Sequence, residues 1–302
     1  MTVGDPVVRC EFVEIDWRGR RVRIEHAWIA PTLRQAQALR QAQGDRALRQ
    51  AQGGRERAAP LMVFLHEGLG SLAMWKDFPQ RLCGALRCRG LVYSRPGYGR
   101  STPRAPEEAW GLDFMHRQAH EVLPAFLDAL DIDTARDKPW LFGHSDGGSI
   151  ALLYAARFVQ RIAGAIVLAP HIVVEDLSVT SIEGARLAYL QTDLRERLAR
   201  YHDDPDSAFW GWNRIWLHPP FKQWTIEQEI AAIACPLLAV QGVDDEYGTL
   251  RQIRGIAQRV AQTQLLELPD CGHSPHRDQP GALIQAVAAF FRSCNIATGD
   301  RP

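Results

Sequence analysis

The sequence predicts an α/β protein built on a doubly wound, mostly parallel sheet. Three observations carry that expectation. From residue 61 onward, short apolar runs alternate with helix-like stretches. Two period-2 runs near the N-terminus read as an antiparallel pair of strands. Between an apolar run and a small-residue helical pattern stands Gly143-His144-Ser145-Asp146-Gly147, a serine with glycine two residues away on either side. At 302 residues, with 46% hydrophobic and 23% charged residues, the chain has the length and composition of one globular enzyme domain.

The elements follow in order. VVRCEFVEI and RRVRIEHAWIA form the antiparallel pair. LMVFL (61–65), GLVYS (90–94), WLF (140–142), AIVLA (165–169), LLAVQ (237–241) and LLEL (265–268) read as buried parallel strands, with helices in most of the intervals. That makes eight strands. In such sheets chemistry collects at the C-terminal strand ends, and the candidate residues named below all fall there.

Two segments break the alternation. Residues 33–57 repeat LRQAQ three times and carry six arginines against Asp45 and Glu56, a net +4. With glycines interrupting the repeat and no aromatic residue interleaved for base stacking, this is expected to be a low-complexity surface insert. Residues 171–234 are too long for a simple crossover and hold Tyr189, Tyr201, Phe209, Trp210, Trp212, Trp216, Phe221 and Trp224. An aromatic helical insert of this kind fits a lid, which packs one apolar face on the body and offers another to substrate. The aromatics also fit simple packing within the segment.

The formal charge is zero and the pI about 7.1, so nothing global points to nucleic acid or an anionic membrane. The N-terminus lacks a basic region followed by an apolar stretch, and no apolar run has spanning length, which leads to the expectation of a cytoplasmic protein. Six scattered cysteines without a C-x-x-C pair fit reduced thiols. No feature speaks to oligomeric state.

A serine hydroxyl needs a base and a third group to orient that base. Downstream, LLAVQGVDDEYGT runs from a strand into Asp244 and Asp245, and LLELPDCGHSPHRDQP runs from the next strand into Gly272 and His273. Glycines beside a serine between strand and helix relieve the crowding of a nucleophile elbow, and the order serine, aspartate, histidine belongs with it. His276 competes with His273 for the base. A metal site of His273, His276 and Asp278 would leave the serine unexplained.

On FLHEGLGS (64–71), SRPGYGRS (94–101), FGHSDGG (142–148), VQGVDDEYG (240–248) and CGHSPH (271–276), the chain resembles the α/β-hydrolase fold superfamily over nearly its whole length outside the repeat. The resemblance implies a mostly parallel eight-stranded sheet flanked by helices, with a helical lid insertion. It implies Ser145 as nucleophile, His273 as base, and Asp245, third after the glycine, as the acid, with Asp244 the rival. It further implies an oxyanion hole from the backbone N–H groups of Asp146 and Gly68. Two departures stand out. Glu67 occupies a position where glycine is usual, so its carboxylate either braces the loop or faces substrate. Ser94 stands where relatives often carry aspartate, which puts the pairing of that loop in question. His171 and Glu175 line the pocket or form a hydrogen-bonded hinge, and Trp210 and Trp212 are the candidate substrate-facing aromatics.

The expected reaction is hydrolysis of a carboxylic ester or related acyl bond in a small to medium apolar or aromatic substrate, without a cofactor. Carbon–carbon bond hydrolysis of aromatic ring-fission products uses the same triad, but relatives with that activity tend to carry an aromatic residue after the histidine, where this chain has Ser274. A hydrolase-fold ligand receptor with little turnover is the third possibility.

Overall fold

The computed structural model describes residues 9–29 and 59–297; the 33–57 repeat lies outside the described residues. Strands β1 (Glu11–Trp17) and β2 (Arg20–Ile29) form a hairpin in the register Glu11↔His26 to Trp17↔Arg20. They are followed by β3 (Leu61–Leu65), β4 (Arg89–Tyr93), β5 (Trp140–His144), β6 (Gly164–Leu168), β7 (Leu237–Gly242) and β8 (Thr263–Leu268). The eight strands lie in the order β1-β2-β4-β3-β5-β6-β7-β8, antiparallel from β1 to β4 and parallel from β4 to β8. Every residue of β3, β5, β6 and β7 is buried, which is why these strands appear as unbroken apolar runs rather than alternating ones.

Helices cover both faces of the sheet. Phe78, Leu82 and Leu86 of α1 (Phe78–Leu86) and Leu283, Val287, Phe290 and Phe291 of α9 (Pro280–Ala297) pack on Met62, Phe64, Val92 and Phe142. The alternate strand residues Leu61, Val63, Leu65, Leu91 and Leu141 meet the opposite layer. That layer contains α2, which runs Phe114–Arg117, a π turn over Gln118–Val122, then Leu123–Ala129. It also contains α3 (Asp146–Arg157) and α7 (Arg251–Arg259). A short α8 (Pro275–Asp278) precedes α9.

Residues 171–234 form α4 (Asp176–Gln191), α5 (Leu194–Leu198), α6 (Pro205–Trp216) and two 3-10 turns. The segment leaves and returns at one place, where Val173 bridges Thr225 and the Ile226 N–H donates to the Ile172 carbonyl at 2.9 Å. Its Phe209, Trp212, Trp216, Phe221 and Trp224 join the core on the α3 side of the sheet. Among the described residues, no helix is long and apolar enough to cross a membrane.

The connection from β3 to β4 runs one way along the sheet, whereas β5 lies on the other side of β3. Loops at the ends of β3 and β5 therefore diverge and leave a crevice, the place where α/β sheets bind ligands.

Candidate active site

Ser145 follows β5 directly and begins the turn into α3. Its φ of 54° and ψ of −120° are costly for a residue with a Cβ. The Ser145 N–H donates to the Leu168 carbonyl of β6 at 2.8 Å, which secures the turn. The flanking glycines are sterically required: a Cβ on Gly143 would lie 2.2 Å from the Gly147 oxygen, and one on Gly147 would lie 2.1 Å from the Leu65 oxygen. Strand, turn and helix can pack this closely only without those side chains.

Asp245 follows β7 and His273 follows β8. His273 Nδ1 lies 2.8 Å from Asp245 Oδ1. A carboxylate has no proton to give, so Nδ1 donates and Nε2 remains the basic nitrogen of the neutral ring. Asp245 is held on all sides: Oδ1 also accepts from the N–H groups of Tyr247 at 2.8 Å and Gly248 at 3.3 Å, and Oδ2 accepts from Gln241 Nε2 at 3.0 Å. Burial alone would push its carboxyl up, but the His273 hydrogen bond and charge and the Tyr247 N–H outweigh it, keeping the group below the ordinary aspartate value. Asp244 is exposed, with its backbone N–H donating to the Cys271 carbonyl at 3.0 Å.

His144 links the end of β5 to the loop that carries His273. Its Nε2 lies 2.7 Å from the His273 carbonyl, and the two imidazole centroids are 5.1 Å apart. The residue before Ser145 thus positions the backbone of His273. His276 lies behind, buried, with its ring 4.9 Å from that of Trp75 and 4.8 Å from that of His144. Asp278 accepts from the Gly272 N–H at 3.0 Å and so anchors the histidine loop. Among the described residues, no three His, Cys, Asp or Glu side chains are grouped as a metal site requires.

The loop after β3 is braced through the Glu67 carbonyl, which accepts from His66 Nδ1 at 2.7 Å, Arg95 at 2.8 Å and the Gly70 N–H at 3.1 Å. The Arg95 N–H in turn donates to His66 Nε2 at 3.0 Å, which fixes the imidazole as the Nδ1–H tautomer. Burial, followed by the nearby Arg95 charge, lowers the His66 pKa well below the ordinary value and keeps it neutral. The Glu67 carboxylate turns toward Arg277, 3.0 Å away, and lies 3.6 Å from His144 Nδ1. Burial opposes its ionisation, but His144 and Arg277 prevail and hold it well below the ordinary glutamate value. Its side chain therefore ties the loop after β3 to the end of β5 and to α8.

Ser94 is paired with a carboxylate from another strand. Glu25 of β2 accepts from Ser94 Oγ at 2.7 Å and from the Arg100 N–H at 3.0 Å, while Ser94 Oγ accepts from the Leu72 N–H at 2.9 Å.

Asp146 is fully buried. Its Oδ1 accepts from Trp216 Nε1 at 3.2 Å, and Oδ2 lies 3.9 Å from the buried Arg95 guanidinium. Burial pushes its pKa up to about 6, against the pull of Arg95. Gly68 is covered by Trp212: a Cβ there would lie 2.2 Å from the indole nitrogen. His171 is buried, its Nε2 3.2 Å from the Tyr247 carbonyl and its ring 6.0 Å from that of His273. Burial and then the His273 charge lower its pKa to about 4. Glu175 forms a hinge tie, accepting from the Thr249 N–H and hydroxyl and from Gln252 Nε2.

One candidate is not brought to this site. Trp210 precedes Trp212 by two residues, about 200° around a helix, and meets Tyr189 at 5.5 Å and the Arg214 guanidinium at 5.4 Å instead. Trp216, which was not among the candidates, lies four residues after Trp212, shares that face and packs 4.9 Å from the His171 ring. The i, i+4 spacing was the signal. Arg95 and Arg277 had none, because their partners lie far away in the chain.

The chain is 26% identical over 267 residues to the dihydrolipoyllysine-residue acetyltransferase component of an acetoin cleaving system from Pseudomonas putida, covering 82% of this chain and 68% of that one. It is 24% identical over 267 residues to a 2-succinyl-6-hydroxy-2,4-cyclohexadiene-1-carboxylate synthase from Salmonella paratyphi A, covering 78% and 94%. Among solved structures it is similar to the enol-lactonase from Burkholderia xenovorans LB400, with a TM-score of 0.65, 21% identity and coverage of 92% and 99%. The sequence model of the alpha/beta hydrolase family matches residues 62–286, which span the strand-end loops just described from β3 to the histidine loop. By that match and by its fold, the chain belongs to the alpha/beta hydrolase family.

Proposed function

We propose that this protein is a serine hydrolase that cleaves a carboxylic ester or related acyl bond through an acyl-enzyme. The observation that carries the proposal is the Asp245–His273 hydrogen bond of 2.8 Å, with His273 tied through its carbonyl to the residue preceding the strained Ser145.

Ser145 Oγ attacks the carbonyl carbon as His273 Nε2 takes its proton, and Asp245 stabilises the resulting imidazolium. The N–H groups of Gly68 and Asp146 receive the oxyanion. Collapse expels the alcohol, which takes the proton from His273. Water activated by the same nitrogen then releases the acid and restores Ser145. In this scheme residues 171–234 act as a lid, and Trp212 and Trp216 confine a small to medium apolar or aromatic group. Glu67 serves as a brace rather than a substrate contact, because its carboxylate is engaged by Arg277 and His144. His171 forms part of the pocket wall.

Turnover of a p-nitrophenyl ester series, with fluorophosphonate labelling, tests the proposal. Ser145→Ala is expected to lower kcat/KM by a factor on the order of 10⁴ or more with unchanged folding, and to abolish labelling. Near-parental turnover by the variant would remove Ser145 from the mechanism.

A further inference from the structure

Outside this site, a cavity of about 340 Å³ opens between the β1–β2 hairpin, the loop after β4 and α2. It lies beyond the C-terminal end of β4, because β2 pairs His26 with Tyr93 at that end and its earlier residues extend past it. Arg18, Arg20, Arg104 and Arg117 line the cavity, with Glu108 the one acidic residue of the lining among those described. Glu108 is paired with Arg20 at 3.0 Å, and Arg117 is paired with Asp113 at 2.7 Å. Arg104 donates to the backbone carbonyls of Ala105, Pro106 and Glu108, which carry no neutralising charge. Arg18 has neither a hydrogen bond nor an ion pair among the described residues. The cavity therefore holds unneutralised positive charge.

Arg18 is also costly where it stands. It and Gly19 form the two-residue hairpin turn with φ of 53° and 72°, the pattern of a turn that favours Asn, Asp or Gly at the first position. Its side chain is exposed, so core packing does not account for an arginine there. The walls beside it are flat and fixed. Trp110 stacks on Phe114 at 5.5 Å and 11°, and the Trp17 indole N–H donates to Glu121 at 2.7 Å.

We propose that this cavity is a second, non-catalytic binding site for a small aromatic carboxylate, with the ring against Trp17 and Trp110 and the carboxylate on Arg18. A guanidinium matches a carboxylate in geometry and charge, and an indole face matches a flat apolar ring. The inner wall reaches α6: a Cβ on Gly211 would lie 3.0 Å from Trp110 and 3.2 Å from Arg104 Nε. The next residue, Trp212, covers Gly68.

Calorimetric titration of the whole protein with 2-naphthoate and its uncharged analogue 2-naphthamide tests the proposal. One molecule of naphthoate is expected to bind per chain, with the amide at least about tenfold weaker, as loss of a charge-assisted contact implies. Arg18→Gln and Arg18→Asn should each weaken naphthoate at least about tenfold, and Arg18→Asn should raise the thermal midpoint by relieving the turn. Trp212→Ala, a change at the other site, should leave naphthoate affinity within about twofold, as expected for separate sites. Equal affinity for the two ligands, parental affinity in Arg18→Gln, no measurable binding, or a loss caused by Trp212→Ala would each overturn the second site, whatever the fate of the esterase proposal.

Discussion

The strand-end loops and the 171–234 segment meet where Trp212 covers Gly68 and Trp216 donates to Asp146, yet different physics holds each in place. The loops are fixed by directional contacts among buried polar groups: three donors on the Glu67 carbonyl and four on the Asp245 carboxylate. The segment also makes hydrogen bonds to the body, such as His202 Nδ1 accepting from the Gly99 N–H at 2.9 Å, but its own helices and turns are packed on one another through rings, such as Tyr189 on Phe209 at 3.7 Å and Phe221 on Trp224 at 5.4 Å. A buried polar group that loses its partner costs about 1–3 kcal/mol, whereas one aromatic contact contributes about 0.5–1.5 kcal/mol and is replaced gradually as rings shift. The loops should therefore fail abruptly when altered and the segment by degrees.

The sharpest test of that contrast is Asp245→Asn. Loss of the orienting carboxylate should lower kcat on the order of 10⁴-fold, while Asp244→Asn, at the exposed neighbouring carboxylate, should cost less than about tenfold. Steady-state kinetics on one ester decides it, and a reversed ranking would move the acid to Asp244.

A pair of identical substitutions tests the steric side. Gly147→Ala forces a Cβ to within 2.1 Å of a backbone oxygen and should destabilise by more than about 3 kcal/mol. Gly184→Ala, in exposed α4 with open space around it, should instead stabilise by about 1 kcal/mol through helix propensity. Urea unfolding of both variants measures the difference, and equal effects would show that the two regions are not held differently.

Within the segment the effects should be smaller and depend on helix face. Trp212→Ala should raise KM and broaden acyl preference by roughly tenfold, the scale of losing a few methylene-equivalents of contact. Trp210→Ala should alter kcat/KM by less than about twofold, because its ring meets Tyr189 and Arg214. An acyl-chain series compares them, and equal responses would argue against a face-dependent cover.

The smallest effect concerns acid. Burial and the neighbouring His144 hold the His276 pKa well below the ordinary 6.5. The unfolded chain takes up a proton as pH falls through 6.5, whereas the folded protein resists until lower pH, so folding stability is lost across that interval. His276→Phe, which suits a ring packed on Trp75 and Phe78, should lessen the fall in thermal midpoint between pH 7 and pH 5. An unchanged pH dependence would show that His276 contributes nothing to it.

The amino-acid sequence by itself determined the strand succession and the placement of Ser145, Asp245 and His273 at strand ends. Those features are local: a buried parallel strand requires an apolar run, and a turn as tight as 143–147 requires glycine wherever a Cβ would strike backbone. The resemblance favoured Asp245 over Asp244 but short-range pattern did not separate them, and where the Glu67 side chain goes and which tryptophan covers Gly68 were decided only by the tertiary structure. Asp244 and Asp245 are chemically alike, and only the loop's path points one at His273 and the other at solvent. Glu67 and Arg277 are brought together by the order of the strands, and Glu25 reaches Ser94 because β2 lies beside β4. Contacts of that kind depend on how distant segments pack, and short-range pattern carries no record of it.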